Sequence, residues 1–267
     1  MFNLKSIFTT SIATLLIGII VPTKAARAGM FLSPMYLRME LKQGQGKGVL
    51  QVGNTSSKPI RVRLSVTPFT YDSNGTFKRR NTSEQANSST NDLTPYLRYS
   101  PQEIVIPANS SRRVRLISLL PPSLPEGEYR TAIFAQTLQS GNARGQKVGF
   151  NISIGSALYV EKGDLEPDIE ITQADFDNRQ IELAIANWGT ATARGKINWT
   201  LKREGKTVDS GESGGSFLPN SESDLVLNRV QNKKIDLATG IYQLEGEIVW
   251  EHSDKQKASS FDFEIEL

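Results

Sequence analysis

The chain has 267 residues, no cysteine and a single histidine, with 31 Lys/Arg against 28 Asp/Glu. Lack of cysteine excludes disulfides, thiol nucleophiles and zinc–thiolate sites, so each folding unit must be held by its own apolar core. The formal charge of +3 belongs to residues 1–28, where Lys5, Lys24 and Arg27 stand without an acid, and the rest of the chain is neutral.

Residues 1–28 read as a secretory signal. Lys5 lies in a short polar start, residues 7–21 are apolar apart from a few small and hydroxyl residues, and Ala26-Arg27-Ala28 forms a small-x-small site with cleavage expected after Ala28. The apolar run is short for a membrane span. No later stretch is apolar enough for one, so no membrane insertion is expected once the signal is removed. The remaining chain is polarised: residues 29–163 carry 17 Lys/Arg against 8 Asp/Glu, and residues 164–267 carry 11 against 20. Halves of +9 and −9 predict two folding units, 29–163 and 164–267, with the sign changing at Glu161-Lys162-Gly163-Asp164.

Taken in chain order, the apolar pattern has period two almost throughout. Residues 49–52 end at Gly53-Asn54-Thr55-Ser56, and residues 61–66 alternate with Val62, Leu64 and Val66 on one face. Asp72-Ser73-Asn74-Gly75 reads as a hairpin turn; as a calcium loop it would need a carboxylate where Ser83 stands. Residues 78–92 offer almost nothing to bury and are expected to form a surface loop. Residues 104–106 stop at Pro107, and residues 114–117 stop before Pro121-Pro122, with Val114 and Leu116 inward and Arg113 and Arg115 outward. Arg112 shares the inward parity at the start of that strand, where a turn can expose it. Residues 129–138 and 148–160 read as two further strands. In the second unit, residues 180–185, 196–201, 241–250 and 261–267 alternate, the last with Phe261, Phe263, Ile265 and Leu267 on one face. No capped amphipathic helix is predicted. The fold class is all-β: two immunoglobulin-like antiparallel β-sandwiches in tandem.

Little in the sequence points to catalysis. His252 is the one imidazole and falls in a predicted polar turn beside Asp254, where a solvated side chain is expected. There is no nucleophile elbow and no phosphate loop. No enzyme activity, metal or cofactor is therefore expected. Arg112, Arg113 and Arg115 lack the interleaved aromatics that stack on bases, so no nucleic-acid partner is expected either.

Four segments carry a family resemblance. They are residues 33–41, an apolar stretch containing Arg38; residues 52–59, with the Asn54 turn; the spaced Ser100-Pro101, Ile106-Pro107 and Val114-Arg115-Leu116; and Leu124-Pro125-Glu126-Gly127-Glu128-Tyr129-Arg130 with Ala132-Ile133-Phe134 after it. Over about residues 31–160 the chain resembles the PapD-like periplasmic chaperones of pilus and fimbrial assembly. The second unit looks like a generic immunoglobulin-type repeat.

The resemblance implies a periplasmic protein that binds exported, pilin-like subunits by adding an edge strand to them, with an outer-membrane usher as a further candidate partner. Val148, Phe150, Ile152 and Ile154 would be the groove-filling side chains, and Arg38 would meet the partner's carboxylate. An alternative for the same aliphatic stripe is packing into the unit's own core, and for Arg38 a solvated strand-edge cation. The family's second anchoring cation, a lysine, falls at Ser156, and the arginine of its junction ion network is replaced by Val160, with Glu128 as the acid. The alternative function is a secreted structural or adhesive protein of two immunoglobulin-like units, extracellular and without chaperone activity.

Overall fold

The computed structural model describes residues 29–72, 76–80, 91–138, 151–177, 180–228 and 237–266; the expected signal lies outside them. Among these residues there is no α-helix, and every long element is a strand. The first twelve are β1 (Met30–Ser33), β2 (Tyr36–Met39), β3 (Leu41–Lys42), β4 (Gln45–Asn54), β5 (Ile60–Thr67), β6 (Phe69–Tyr71), β7 (Phe77–Arg79), β8 (Leu97–Ser100), β9 (Glu103–Ile106), β10 (Ser110–Leu119), β11 (Gly127–Leu138) and β12 (Ser153–Lys162). Then follow β13 (Ile169–Asp177), β14 (Gln180–Asn187), β15 (Ala193–Arg203), β16 (Lys206–Phe217), β17 (Ser221–Val226), β18 (Ile241–His252) and β19 (Lys255–Glu266).

The N-terminal sandwich packs a sheet in the order β1-β4-β10-β8, with β3 added on β4, against a sheet in the order β2-β12-β11-β5-β9. Pro34 lies between β1 and β2, where a residue without an N–H can leave one ladder before the chain joins the other sheet. β1 pairs antiparallel with β4, and β2 pairs parallel with β12. Period-two alternation drives the inner faces together. In β10, Val114, Leu116 and Ser118 are buried, while Arg113, Arg115 and Ile117 lie on the outer face. The core is built from these with Leu50, Val52, Val62, Leu64, Ile133 and Leu158.

The C-terminal sandwich packs β13-β14-β17 against β16-β15-β18-β19 around Leu183, Ile185, Ile197, Trp199, Leu244 and Ile248. Two local devices recur in both sandwiches. Asn54 is buried at the end of β4, donating to the carbonyls of Lys58, Ile106 and Pro107 and accepting from Ser56 N–H. Asn187, buried at the end of β14, donates to Ala191 and Phe217 carbonyls and accepts from the N–H groups of Asp168 and Gly189. Tyr129 and Tyr242, at the starts of β11 and β18, each donate at 2.8 Å to a carbonyl four residues upstream, of Pro125 and Ala238. This back-bond is the tyrosine corner of immunoglobulin-type sandwiches.

Several boundaries differ from the sequence expectation. Lys78 and Arg79 belong to β7, not to a loop; β7 pairs with β6, and Asp72 closes the hairpin by accepting from Thr76 N–H at 2.8 Å. Residues 73–75 and 81–90 lie outside the described residues. β19 begins at Lys255 rather than near Phe261, because Lys-Gln-Lys-Ala-Ser-Ser has no apolar alternation and is held by its main-chain ladder to β18. Phe261 and Ile265 are buried and Phe263 half-buried, as the parity predicts; Leu267 lies outside the described residues.

Candidate partner-binding site

The edge strand β12 sets the first part of the site. On one side it pairs with β11 from Ser153 to Lys162; on the other, β2 covers only Ala157 to Val160. Among the described residues, the stretch from Ser153 to Ser156 therefore has one edge of its main chain without a strand partner. Such an edge is a template for a further strand. Ile152 and Ile154 are half-buried and pack against the N-terminal core, on the same parity as the buried Leu158 and Val160. Ser156, where the resemblance would put a lysine, is 1% exposed and points to the same side, its hydroxyl without a hydrogen-bond partner among the described residues. Gly155 faces the opposite way, under the Phe134 ring, where an added Cβ would lie 2.6 Å from the ring edge. Val148 and Phe150 lie outside the described residues.

Below this edge, β2 carries Arg38 into the junction between the sandwiches. Arg38 was expected to be open to a partner's carboxylate or to water; instead its guanidinium is engaged within the chain. Its Nε lies 3.2 Å from Glu161, one Nη donates to the Thr192 carbonyl at 2.9 Å, and the other donates to Nδ1 of His252. The expectation for His252 is overturned. It is the last residue of β18 and 4% exposed, with Nε2 donating to the Leu165 carbonyl at 2.7 Å. A guanidinium can only donate, so Nδ1 accepts and Nε2 carries the proton. The parity of β18 held the signal: Tyr242, Leu244, Ile248 and Trp250 are buried, and His252 continues their series.

At the junction two acids, Glu128 and Glu161, each lie beside a cation. Glu128 is fully buried and accepts from Thr192 N–H at 2.7 Å and from the Thr192 hydroxyl, with Arg130 at 3.6 Å. Arg38 supplies the second cation beside Glu161. Burial pushes the Glu161 carboxyl up to about 7, against the pull of Arg38 and with the nearby Glu128 charge adding to the rise. Burial, and then the positive charge of Arg38, hold the His252 imidazole below its usual value of 6.5.

The junction opens into a cleft of about 1020 Å³ lined by Tyr36, Arg38, Tyr71, Arg194, Trp250 and His252, among others. Arg194, exposed at the start of β15, lies 4.9 Å from the Tyr36 ring centre, and Tyr36 packs on Tyr159 at 4.7 Å. Burial pushes the Tyr36 phenol up to about 12. From there an aromatic layer runs over the outer face of the second sheet, beneath the β6–β7 hairpin. Phe69 meets Tyr159 at 5.9 Å and Phe77 at 5.0 Å, Phe77 meets Phe134 at 5.8 Å, and Arg79 covers Phe134 at 3.6 Å. Among the described residues, no group of three or more His, Asp or Glu is placed to hold a metal.

No protein-family model and no curated protein matches the sequence. Solved structures do match in fold. The chain is similar to a chain of the CsuC–CsuE chaperone–tip adhesion subunit pre-assembly complex from the archaic chaperone–usher Csu pili of Acinetobacter baumannii, at 18% identity and TM-score 0.50, covering 89% of this chain and 98% of that one. It is also similar to the class 5 fimbriae chaperone CfaA at 11% identity and TM-score 0.50, covering 87% and 98%. A third is the YadV chaperone, at 9% identity and TM-score 0.50, covering 88% and 100%. At these identities the likeness establishes the architecture of two β-sandwiches in tandem.

Proposed function

We propose that this protein is a non-enzymatic, PapD-like chaperone of the periplasm, exported by its N-terminal signal, that holds pilin-like subunits by β-strand addition. The observation that carries the reading is the half-open edge of β12. Among the described residues its main chain has no strand partner on the side away from β11 from Ser153 to Ser156, the aliphatic Ile152 and Ile154 lie beside and within that stretch, and the strand runs on to the cleft between the two sandwiches, which Arg38 and Arg194 line. Main-chain bonds to a partner strand would supply affinity, and Ile152 and Ile154, with Val148 and Phe150 upstream, would set its register. The likeness in fold to solved fimbrial chaperones supports the same reading. Residues 29–163 form the subunit-binding domain in this proposal, and residues 164–267 the second domain. Arg38 orders the junction, and the exposed Arg194, stacked on Tyr36, is a cation that would meet a client in the cleft. An usher is the further partner this role requires.

The test is co-expression with an exported pilin-like subunit, followed by recovery of the complex from the periplasm. Ile152→Asp with Ile154→Asp should lower its yield at least about tenfold, since each charge would enter an apolar groove, while the thermal midpoint of the free protein is followed as the folding control. A complex that survives the double substitution in a folded protein overturns strand addition. Recovery of no subunit at all favours the structural or adhesive reading.

A further inference from the structure

The N-terminal sandwich exposes a basic and aliphatic sheet face that its own C-terminal half cannot neutralise. The outer face of the first sheet carries Lys47 and Val49 from β4, Arg98 from β8, and Arg113, Arg115, Ile117 and Leu119 from β10. The register sets Val49 opposite Arg115, and Ile117 between Lys47 and Arg98. Val49 and Leu119 are each 50% exposed and Ile117 37%. Among the described residues none of these four cations makes an ion pair, and no acid sits among them on the face. Every contact described above between the sandwiches arises from β2, β11, β12 or the segment just after β12, on the opposite side of the core. The basic face thus turns away from the acidic half of its own chain.

A complementary surface exists on the same molecule. The outer face of β18 and β19 carries Asp262, Glu264 and Glu266 toward the end remote from the cleft, beside Ile241, which is 60% exposed, with Glu247 nearer the middle of the face. These four carboxylates are exposed and make no ion pair among the described residues. Lys202, at the border of this face, is already taken by Glu245. Two sheet faces of opposite sign, each with exposed aliphatic side chains, cannot meet within one chain but can meet between two.

We infer that the outer face of β4, β8 and β10 is a docking surface for a second copy of this chain, which presents to it the acidic face of β18 and β19. This contact uses neither the open edge of β12 nor the cleft, so it stands independently of the chaperone reading. The association is electrostatic in origin and weakens with salt, because surface charges are screened beyond a Debye length of about 8 Å at physiological ionic strength and about 30 Å at low salt.

Sedimentation of the purified protein tests it. Mass above the monomer is expected at about 10 mM salt and should fall toward the monomer near about 1 M salt, as the Debye length shrinks. Arg113→Glu with Arg115→Glu should weaken association at least about tenfold through like-charge apposition. Asp262→Lys with Glu264→Lys should do the same, and the chain carrying all four changes should associate again. The neutral pair Arg113→Ala with Arg115→Ala should give an intermediate loss, and circular dichroism confirms that each variant is folded. A monomer at every salt concentration overturns the inference. So does association that ignores the reversals, or that the fourfold variant does not recover. Binding of the basic face to anionic phospholipid vesicles by a protein that stays monomeric would assign the face to a membrane surface and also overturn it.

Discussion

Arg38 and His252 are 214 residues apart in the chain, and a guanidinium-to-imidazole hydrogen bond joins them across the two sandwiches. Around that bond stand Glu161, Leu165 and Thr192, so one arginine ties β2 to the end of β12 and to one end of the C-terminal sandwich, and His252 ties in the connecting segment. The geometry makes the junction sensitive to proton uptake at two groups that act in opposite directions.

The first expectation concerns pH. The Glu161 carboxyl is raised to about 7 in the fold, so its contribution is fully present below its ordinary 4.5 and is lost as pH rises through about 7. His252 is lowered from 6.5, so its contribution is present above 6.5 and is lost as pH falls through the depressed value. Glu161→Gln should therefore gain stability relative to the unaltered protein as pH rises from 4.5 to about 7. His252→Gln should lose its disadvantage as pH falls below 6.5. Urea denaturation across this range checks both signs.

Glu128 is fully buried and holds the main-chain N–H and the hydroxyl of Thr192 across the junction. Glu128→Ala leaves both donors and Arg130 without their carboxylate, and should destabilise the protein by about 3 kcal/mol or more. Thermal unfolding measures the loss. Limited proteolysis should also cut the connecting segment, residues 163–168, faster in the variant.

The paired asparagines carry comparable weight in the two sandwiches. Asn54→Ala and Asn187→Ala each strand several buried main-chain groups and should cost about 2–4 kcal/mol. Tyr129→Phe and Tyr242→Phe remove one back-bond each and should cost about 1–2 kcal/mol. An asparagine variant no less stable than its tyrosine counterpart would contradict this ranking.

Phe69 is 2% exposed and joins the β6–β7 hairpin to Tyr159 on the sheet below. Phe69→Ala should cost about 3–5 kcal/mol, as expected for a buried ring left as a cavity. Amide exchange should rise first in Phe69–Tyr71 and Phe77–Arg79, because Phe69 joins that hairpin to Tyr159 and stacks on Phe77, whose contact with Phe134 it supports.

Much of the fold can be read directly from residue order. Val114 and Leu116 inward with Arg113 and Arg115 outward follow from period two alone, and Arg112 is exposed at the strand start as its position implies. His252 was legible in principle, since the buried parity of Tyr242, Leu244, Ile248 and Trp250 runs on to it; the polar Ser253-Asp254 beside it pointed to a turn instead. The extent of β19 was not legible, because its first six residues owe their conformation to the ladder with β18. Arg38 could be placed on its strand but not given its partners. Those partners lie on strands that approach only after both sandwiches have formed.

The amino-acid order by itself determined the strand periodicity, the turn at Asn54, and the division of charge into +9 and −9 halves. The periodicity and the turn depend on neighbours within a few residues, where main-chain geometry fixes which side chains share a face, and the charge division is a matter of composition. The tertiary structure alone decided that β2 stops covering β12 at Ala157, that Arg38 is held by Glu161 and His252, and that the basic face turns away from the acidic half. Each of those outcomes is set by how two separately formed sheets meet. Alternation of side chains specifies a face, and only the packing of one face on another specifies what it touches.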